Sequence, residues 1–222
     1  MTRFITFALI LSFLILMVAF ISGTTDKGTY ALKKAIIKNP DNSILYIQLG
    51  QTLIRSKEYK RATKFLTKAV ELQPNSAEAH YSLGIAYGAM GKHQGKIREF
   101  EETVRIEPTF AGGHFELGIA YAAQKSHQKA EKNYKQALKI DPEFPHAHYF
   151  MALSYYISKR YKEAIPMFNE AIRLDPNNAG AYCTLGLAYL KLDRYQESIK
   201  PLRKFLAINP NLSNSASGRL LT

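Results

Sequence analysis

Apolar residues recur along most of this chain at spacings of three and four, which is the period of an α-helix. Between residues 43 and 212 the apolar runs come in pairs, and a short polar turn separates the two runs of each pair. A proline follows every pair at a constant spacing of 34 residues, at Pro74, Pro108, Pro142, Pro176 and Pro210. Because proline cannot continue an α-helix, each proline ends one pair and begins the next. The pattern predicts five copies of one helix-turn-helix unit, stacked in series.

Other residues keep the 34-residue register of the prolines. The third unit, for example, carries in order the residues His114, Leu117, Gly118, Tyr121, Ala130, Tyr134, Ala137 and Pro142. These residues resemble the tetratricopeptide repeat, whose pattern is W-x2-L-G-x2-Y, A-x3-F, P. The chain departs from that pattern in two ways. It has His or Tyr in place of tryptophan, and it has Lys96 where a small residue is expected at the start of the second helix of the second unit.

The resemblance implies an all-α fold, an α-solenoid in which tetratricopeptide helix pairs form a right-handed superhelix. We place one transmembrane helix before it. The expected segments are a transmembrane anchor or signal sequence (4–22), a degenerate half repeat (24–42), repeats one to five (43–76, 77–110, 111–144, 145–178 and 179–212) and a short polar tail (213–222).

The N-terminal segment is strongly apolar, since residues 4–21 contain no charged side chain. As a helix this segment would be about 27 Å long, close to the thickness of a hydrocarbon core. We therefore expect an uncleaved anchor and a single-pass membrane protein. The alternative is a signal peptide cleaved near Ser22 and Gly23, which would make the chain a periplasmic or secreted assembly factor. Lys and Arg flank both sides of the segment, so the side of the membrane that carries the repeats stays open.

The net charge of +12 is concentrated at the two ends of the chain. Six basic residues crowd the first repeat and form a membrane-proximal basic patch, namely Arg55, Lys57, Lys60, Arg61, Lys64 and Lys68. Anionic lipid headgroups would attract such a patch, so a structural protein that binds membrane surfaces is a second alternative. The patch is equally compatible with an ordinary solvated helix face. Nucleic acid is a disfavoured partner, because no stacked-aromatic or groove-reading motif accompanies the charge.

The resemblance also implies that the first helix of each repeat lines a concave surface. The residues expected to bind a partner there are mostly apolar: Ile47, Gln51, Tyr81, Ile85, Phe115, Ile119, Tyr149, Leu153, Tyr156 and Leu187. Family members that bind charged peptide tails carry lysine and asparagine at offsets that Ile47 and Gln51 occupy here. We therefore expect this face to bind a hydrophobic peptide or an amphipathic helix of a protein partner. The alternative is that several of these residues pack between repeats.

Three histidines, His80, His114 and His148, also lie 34 residues apart. Neighbouring helix axes are about 8–10 Å apart, whereas zinc needs ligand nitrogens about 2.0–2.1 Å from one ion. We interpret them as packing histidines at the tryptophan position. No pattern for a catalytic residue, a metal or a cofactor stands out. The sequence predicts a membrane-anchored scaffold or adaptor for complex assembly, and not an enzyme.

Two places in the repeats look irregular. Gly88, Gly91 and Gly95 surround the turn of the second repeat next to Lys96, which predicts a loosened joint. After Pro210 the remaining tail is short and polar. Since repeat arrays normally end in a capping helix, we expect the fifth repeat to be partly uncovered at Ile199, Leu206 and Ile208, and to self-associate or dock a partner.

Overall fold

The computed structural model describes residues 27–210, and within them it is built of helices joined by short turns. Helix α1 covers residues 27–38. The ten helices that follow are α2 (Ser43–Arg55), α3 (Tyr59–Leu72), α4 (Ala77–Ala89), α5 (His93–Ile106), α6 (Ala111–Ala123), α7 (His127–Ile140), α8 (Pro145–Ile157), α9 (Tyr161–Leu174), α10 (Ala179–Leu190) and α11 (Tyr195–Ile208). The predicted all-α fold of helix pairs is confirmed.

The helices form two compact units, unit 1 ending at Ile106 and unit 2 beginning at Glu107. In unit 1, α2 packs on α3, α3 on α4, and α4 on α5. Leu32 and Ile36 of α1 pack against the core residues Leu49 and Leu66. In unit 2, the pairs α6–α7, α8–α9 and α10–α11 are joined by contacts of α7 with α8 and of α9 with α10. Each unit therefore has its own core between consecutive helices.

A glycine at the centre of the first helix allows the two helices of a pair to approach closely. A methyl group at Gly118 would lie 2.5 Å from the ring of Tyr134 on α7. The fourth repeat has Ala152 at this position, where it is fully buried. The small residue thus determines how deeply the large side chain of the second helix is buried.

The turn inside each pair contains one residue in the left-handed region, with φ between 57° and 70°. These residues are Lys57, Gly91, Lys125, Lys159 and Asp193. In the first repeat the amide of Lys57 donates to the carbonyl of Ile54 at 2.9 Å, and the amide of Glu58 donates to that of Leu53 at 2.8 Å. Because these bonds satisfy the last carbonyls of the helix, the turn ends the helix in a fixed direction.

Side chains cover two of the three glycines around the turn of the second repeat, whereas no atom lies within 4 Å of a methyl group added at Gly91. The side chain of Lys96 fills the space beside Gly88, where an added methyl group would lie 3.0 Å from its Cδ. The ring of Tyr87 covers Gly95 in the same way, at 2.9 Å. The two helices are thus packed against each other beside the turn, and the loosened joint stays a prediction. Lys96 fits at a position that other repeats give to a small residue, because its apolar stem lies over Gly88, which has no side chain of its own.

The predicted membrane span is corrected by the structure. No helix within residues 27–210 is both long and apolar enough to cross a bilayer. The segment 4–22, on which the prediction of a transmembrane helix was based, lies outside the described residues, as does the tail 213–222. The fold class with a transmembrane helix and the single-pass membrane location are therefore wrong for the part of the chain that the structure describes. The described helices instead pair with one another through their apolar faces.

Candidate partner-binding surfaces

In unit 1, two of the residues predicted for the concave face serve to pack helices together. Ile47 is only 3% exposed and belongs to a core cluster. The amide of Gln51 on α2 donates to a carboxylate oxygen of Glu78 at 2.9 Å and to the hydroxyl of Ser82 at 3.2 Å, both on α4. These bonds tie the first helices of the first two repeats together. Ile47 therefore offers no surface, and Gln51 is engaged within the protein.

Tyr81 and Ile85 on α4 are both half-buried. The ring of Tyr81 packs against Phe100 of α5 with the ring centres 5.6 Å apart. The predicted face of unit 1 is consequently reduced to two partly covered side chains.

In unit 2, Phe115 lies at the centre of an aromatic cluster. It is 8% exposed, and its ring centre is 4.8 Å from that of Phe144, 5.6 Å from that of Phe150 and 6.2 Å from that of Tyr134. Aromatic pairs at such distances and tilts are favourable beyond the area that they bury. Phe115 is thus a core residue, while Ile119 on the same helix is half-buried.

The most exposed apolar surface among the predicted residues lies on α8 and α10. Tyr149, Leu153 and Tyr156 of α8 are half-buried, and Leu187 of α10 is 38% exposed. Ile157, which the sequence did not single out, is 60% exposed at the end of α8. We call these five residues the α8–α10 face.

The tyrosines contribute a contact between α8 and α10 and no charge near neutral pH. A methyl group added at Gly180 of α10 would lie 2.6 Å from the hydroxyl of Tyr149, so the two helices meet there. Burial raises the pKa of Tyr149, of Tyr156 and of the Cys183 thiol, and Cys183 adds to the shift of both tyrosines. The ring of Tyr156 also stacks edge-on against Tyr161 at 5.3 Å. All three titratable groups are therefore neutral near pH 7.

The six residues of the predicted basic patch are all exposed, but their local contacts differ. Arg55 donates to Thr52 at 3.0 Å, Arg61 pairs with Glu58, and Lys57 lies in the turn. The other three lysines, Lys60, Lys64 and Lys68, lie on one side of α3 and line an open groove of about 640 Å³. We call this the α3 groove.

Each of the three histidines makes the same kind of hydrogen bond in its own repeat. In each case the Nε2–H group donates to the carbonyl of the proline six residues earlier, at 3.0, 3.1 and 2.8 Å for His80, His114 and His148. A carbonyl can only accept, so the hydrogen lies on Nε2 in all three rings. The histidines therefore anchor the link between consecutive repeats and do more than fill space. Their constant distance from the preceding proline is the sequence signal for this role.

The surroundings of the second ring nitrogen, Nδ1, differ from repeat to repeat. Nδ1 of His80 lies 2.7 Å from a carboxylate oxygen of Glu99, whose other oxygen accepts from Arg98 at 2.7 Å. Nδ1 of His114 lies 3.3 Å from the amide oxygen of Asn133. Nδ1 of His148 is buried without a hydrogen-bond partner in the described part of the chain.

His80 and Glu99 form a buried pair, with 6% and 4% of their surfaces exposed, and it is an ion pair whenever His80 is protonated. The hydrogen bond to Glu99 raises the pKa of His80 against the opposing effect of burial. Burial favours the neutral form of Glu99, but the hydrogen bonds from His80 and Arg98 outweigh it and lower the pKa of Glu99. Elsewhere in residues 27–210, no three His, Cys, Asp or Glu side chains gather where they could hold a metal ion.

The end of the fifth repeat is partly uncovered within the described residues. Ile199 is 41% exposed and Ile208 is half-buried, whereas Leu206 is buried. A second open groove, of about 550 Å³, lies between α9 and α11 with Tyr182 and Pro201 among its walls. Exposed apolar surface is thus present at two of the three positions predicted for it.

Family comparisons agree with the repeat pattern. Models of the tetratricopeptide repeat match residues 50–91 and 152–193, residues 111–144, and residues 179–212. No curated protein matches the chain by overall sequence.

Several solved structures share the fold. YrrB, described as a tetratricopeptide-repeat protein with an unusual peptide-binding site, is 24% identical, with a TM-score of 0.70 over 81% of this chain and 93% of its own. MamA from Desulfovibrio magneticus RS-1 is 20% identical, with a TM-score of 0.70 over 78% of this chain and 97% of its own. The pilF protein of Pseudomonas aeruginosa is 20% identical, with a TM-score of 0.68 over 81% and 86%. At these identities the likeness shows the fold alone.

Proposed function

Because the chain belongs to the tetratricopeptide-repeat family, we propose that it is a scaffold that binds protein partners and holds them in a complex. The observation that supports this most is the α8–α10 face, on which Ile157 and Leu187 are exposed beside three half-buried apolar side chains. Apolar area left in water is unfavourable by about 25 cal/mol per Å². A group of exposed apolar residues on neighbouring helices marks an interaction surface more often than a single scattered apolar residue does.

The occupant that fits this face is a hydrophobic peptide or the apolar side of an amphipathic helix. Leu153 and Ile157 lie one helical turn apart on α8, and Leu187 occupies the position equivalent to Leu153 in the next repeat. They can receive apolar side chains that recur at three and four residues along a partner helix. The fold shared with YrrB, which has a peptide-binding site, agrees with this proposal.

The two tyrosines of the face are neutral near pH 7 and offer ring surface to a partner. Both Tyr149 and Tyr156 have raised pKa values, so neither becomes an anion near neutral pH. Their hydroxyl groups can still donate a hydrogen bond to a partner backbone. Binding should therefore depend mainly on buried apolar area.

A photo-reactive amino acid in place of Leu187 tests the proposal in the cells that make the protein. The expected result is a discrete adduct with one protein or a few, lost when Ile157→Gln is added to the same chain. A matched position is Ile44 on α2 in unit 1, which is 57% exposed. Adducts of equal yield from positions 44 and 187, or adducts unaffected by Ile157→Gln, would refute the α8–α10 face as the binding surface.

Self-association through the fifth repeat is a narrower proposal, supported by the exposure of Ile199 on α11. If two copies meet there, Ile199→Asp should shift the sedimentation of the protein to that of a single copy at tens of micromolar, roughly where weak contacts of small area dissociate. Identical sedimentation of the variant and the native chain would rule out that contact.

A further inference from the structure

The α3 groove in unit 1 differs in chemistry from the α8–α10 face. Its rim carries Lys60, Lys64 and Lys68 of α3, and Lys92 lies on the opposite wall after α4. Its floor includes the apolar side chains of Phe65, Tyr87 and Met90. A basic rim above an apolar floor suits a ligand that is both acidic and apolar. From this geometry we propose that the α3 groove binds an acidic amphipathic helix of a partner protein.

The lysines on the rim are available for a ligand. Neither Lys60 nor Lys64 has a carboxylate partner within the described residues. Lys68 pairs with Glu71 at 3.2 Å, but both side chains are about half exposed, so the pair exchanges readily with another carboxylate. The ammonium of Lys92 lies 5.5 Å from the centre of the Tyr87 ring, which holds it at the wall of the groove.

The spacing of the lysines selects the form of the ligand. Residues four apart on α3 rise about 6 Å along its axis. Carboxylates four residues apart on a partner helix have the same rise, so each can face one lysine when the two helices lie side by side. The apolar residues of that helix then meet Phe65 and Met90 on the floor.

The composition of the groove favours a protein over a polyphosphate. Glu71 lies in the wall, and a chain with a phosphate at every step would place negative charge against it. A peptide can present an uncharged residue there. The aromatic and methionine side chains of the floor also gain contacts from leucine that a phosphate backbone does not supply.

The first repeat has lysine at all three rim positions of α3, whereas the fifth repeat has lysine at two of the equivalent positions, Lys200 and Lys204. The positions equivalent to Lys60, Lys64 and Lys68 in the second repeat are Gln94, Arg98 and Glu102. Arg98 is already bound to Glu99 there. The site therefore belongs to unit 1 and is independent of the α8–α10 face that carries the proposed function.

Fluorescence anisotropy with defined probes tests the proposal on the full chain. The probe is a labelled peptide of about 18 residues, long enough to form a helix, with glutamates four apart on one side and leucines beside them. Exchanging Lys60, Lys64 and Lys68 together for glutamine should weaken binding about tenfold, because three modest ion pairs are lost. Exchanging Lys132, Lys139 and Lys162 of unit 2, three exposed lysines without ion pairs within residues 27–210, removes the same charge and should change binding less than about twofold.

Further probes distinguish between the possible ligands of the α3 groove. A peptide of the same composition with scrambled order, a single-stranded oligonucleotide and vesicles containing phosphatidylserine should all bind more weakly than the helix, and Met90→Gln should weaken only the helix. The proposal is overturned if both triple variants lose affinity equally, or if the oligonucleotide or the vesicles bind as well as the helix. Unchanged circular dichroism spectra show that the variants remain folded. If the peptide does not bind the α3 groove, the crosslinking test of the α8–α10 face at Leu187 is unaffected.

Discussion

The second and fourth repeats place a histidine at the same position, yet the surroundings of the two rings differ. His80 and His148 both donate from Nε2 to a proline carbonyl. His80 continues into a buried ion pair with Glu99, whereas Nδ1 of His148 has no partner within residues 27–210. A histidine at this position of the repeat therefore makes the hydrogen bond to the proline carbonyl in both repeats. A single residue on the second helix determines whether the site carries charge.

The third repeat is intermediate between these two. There the residue equivalent to Glu99 is Asn133, whose amide oxygen lies 3.3 Å from Nδ1 of His114. In the fourth repeat the equivalent residue is Met167, which has no oxygen to offer. The three repeats thus form a natural series in which one side chain changes from acid to amide to thioether.

Removing the acid should have the largest effect. Glu99→Ala leaves Arg98 and the His80 ring without their shared carboxylate, and we expect a loss of about 3 kcal/mol in the free energy of unfolding. The matched variant Asn133→Ala should cost about 1 kcal/mol, since it removes a neutral amide, whose Nδ2–H group donates to the carbonyl of Lys129 at 2.9 Å. Urea unfolding followed by circular dichroism measures both. Equal losses would contradict the charge difference between the two repeats.

The ion pair should also make stability depend on pH. The pKa of His80 is raised by folding, so its contribution is complete below about pH 6.5 and is lost as the pH rises through the folded-state value. The pKa of Glu99 is lowered, so its contribution is complete above about pH 4.5 and is lost as the pH falls through its folded-state value.

The replacement His80→Tyr, with the residue found at this position in the first and fifth repeats, tests the histidine half of this argument. Between about pH 6 and pH 9 the native chain should lose stability relative to the variant. Each unit by which the pKa of His80 is raised contributes about 1.4 kcal/mol to this difference. Parallel stability curves for the two proteins would mean that His80 is not charged in the folded state.

The fourth repeat can be converted towards the second. Met167→Glu places a carboxylate where Glu99 lies in the second repeat, and we expect a gain of about 1 kcal/mol when the His148 ring carries a second hydrogen, which Nδ1 then donates to the carboxylate. The gain should disappear when His148→Tyr is present as well. A variant less stable than the native chain in both backgrounds would show that the fourth repeat cannot accommodate the pair.

The third repeat differs from its neighbours in one buried hydroxyl. Tyr134 is fully buried, and its hydroxyl has no hydrogen-bond partner in the described part of the chain, whereas the equivalent residues are Phe100 and Phe168. Tyr134→Phe should therefore raise the free energy of unfolding by up to about 1 kcal/mol. Thermal unfolding in parallel with the native chain measures the change, and a lower midpoint for the variant would reveal a hydrogen bond that this account leaves out.

The smallest expected effect concerns the turns inside the pairs. Gly91 and Lys125 occupy equivalent left-handed positions with φ of 70° and 58°. Gly91→Ala should cost about 1 kcal/mol, because a Cβ is strained in this conformation. Lys125→Gly should be neutral or slightly stabilising. If both variants are destabilised alike, the turn lysine must contribute contacts that outweigh its backbone strain.

The sequence predicts the repeat-wide features well because the same physical constraint acts five times. The second helix of a repeat ends two residues before the regularly spaced proline, at Leu72 before Pro74 and at Leu174 before Pro176. Features of single repeats are harder to predict. Phe115 has the offset of a surface residue but is buried because Phe144 and Phe150 surround it.

Other single features leave no periodic trace. Ile157 was missed because the residues at the equivalent positions are Arg55, Ala89, Ala123 and Lys191. The pair of His80 and Glu99 joins residues on different helices, 19 positions apart. The only sequence signal for this pair is that Glu99 is acidic, whereas the equivalent residues in the other repeats are Phe65, Asn133, Met167 and Pro201. A position that breaks the repeat pattern can therefore be more informative than one that keeps it.

The claim that unit 2 binds a partner through uncharged apolar contacts is tested most directly by the salt dependence of crosslinking from position 187. Exposed ion pairs are strongly screened as salt rises from about 0.1 M to 1 M, whereas apolar contacts are not. When lysates of the cells that make the protein are adjusted to each salt concentration before illumination, the adduct formed at position 187 should keep its yield over this range. Loss of that adduct at high salt would contradict it.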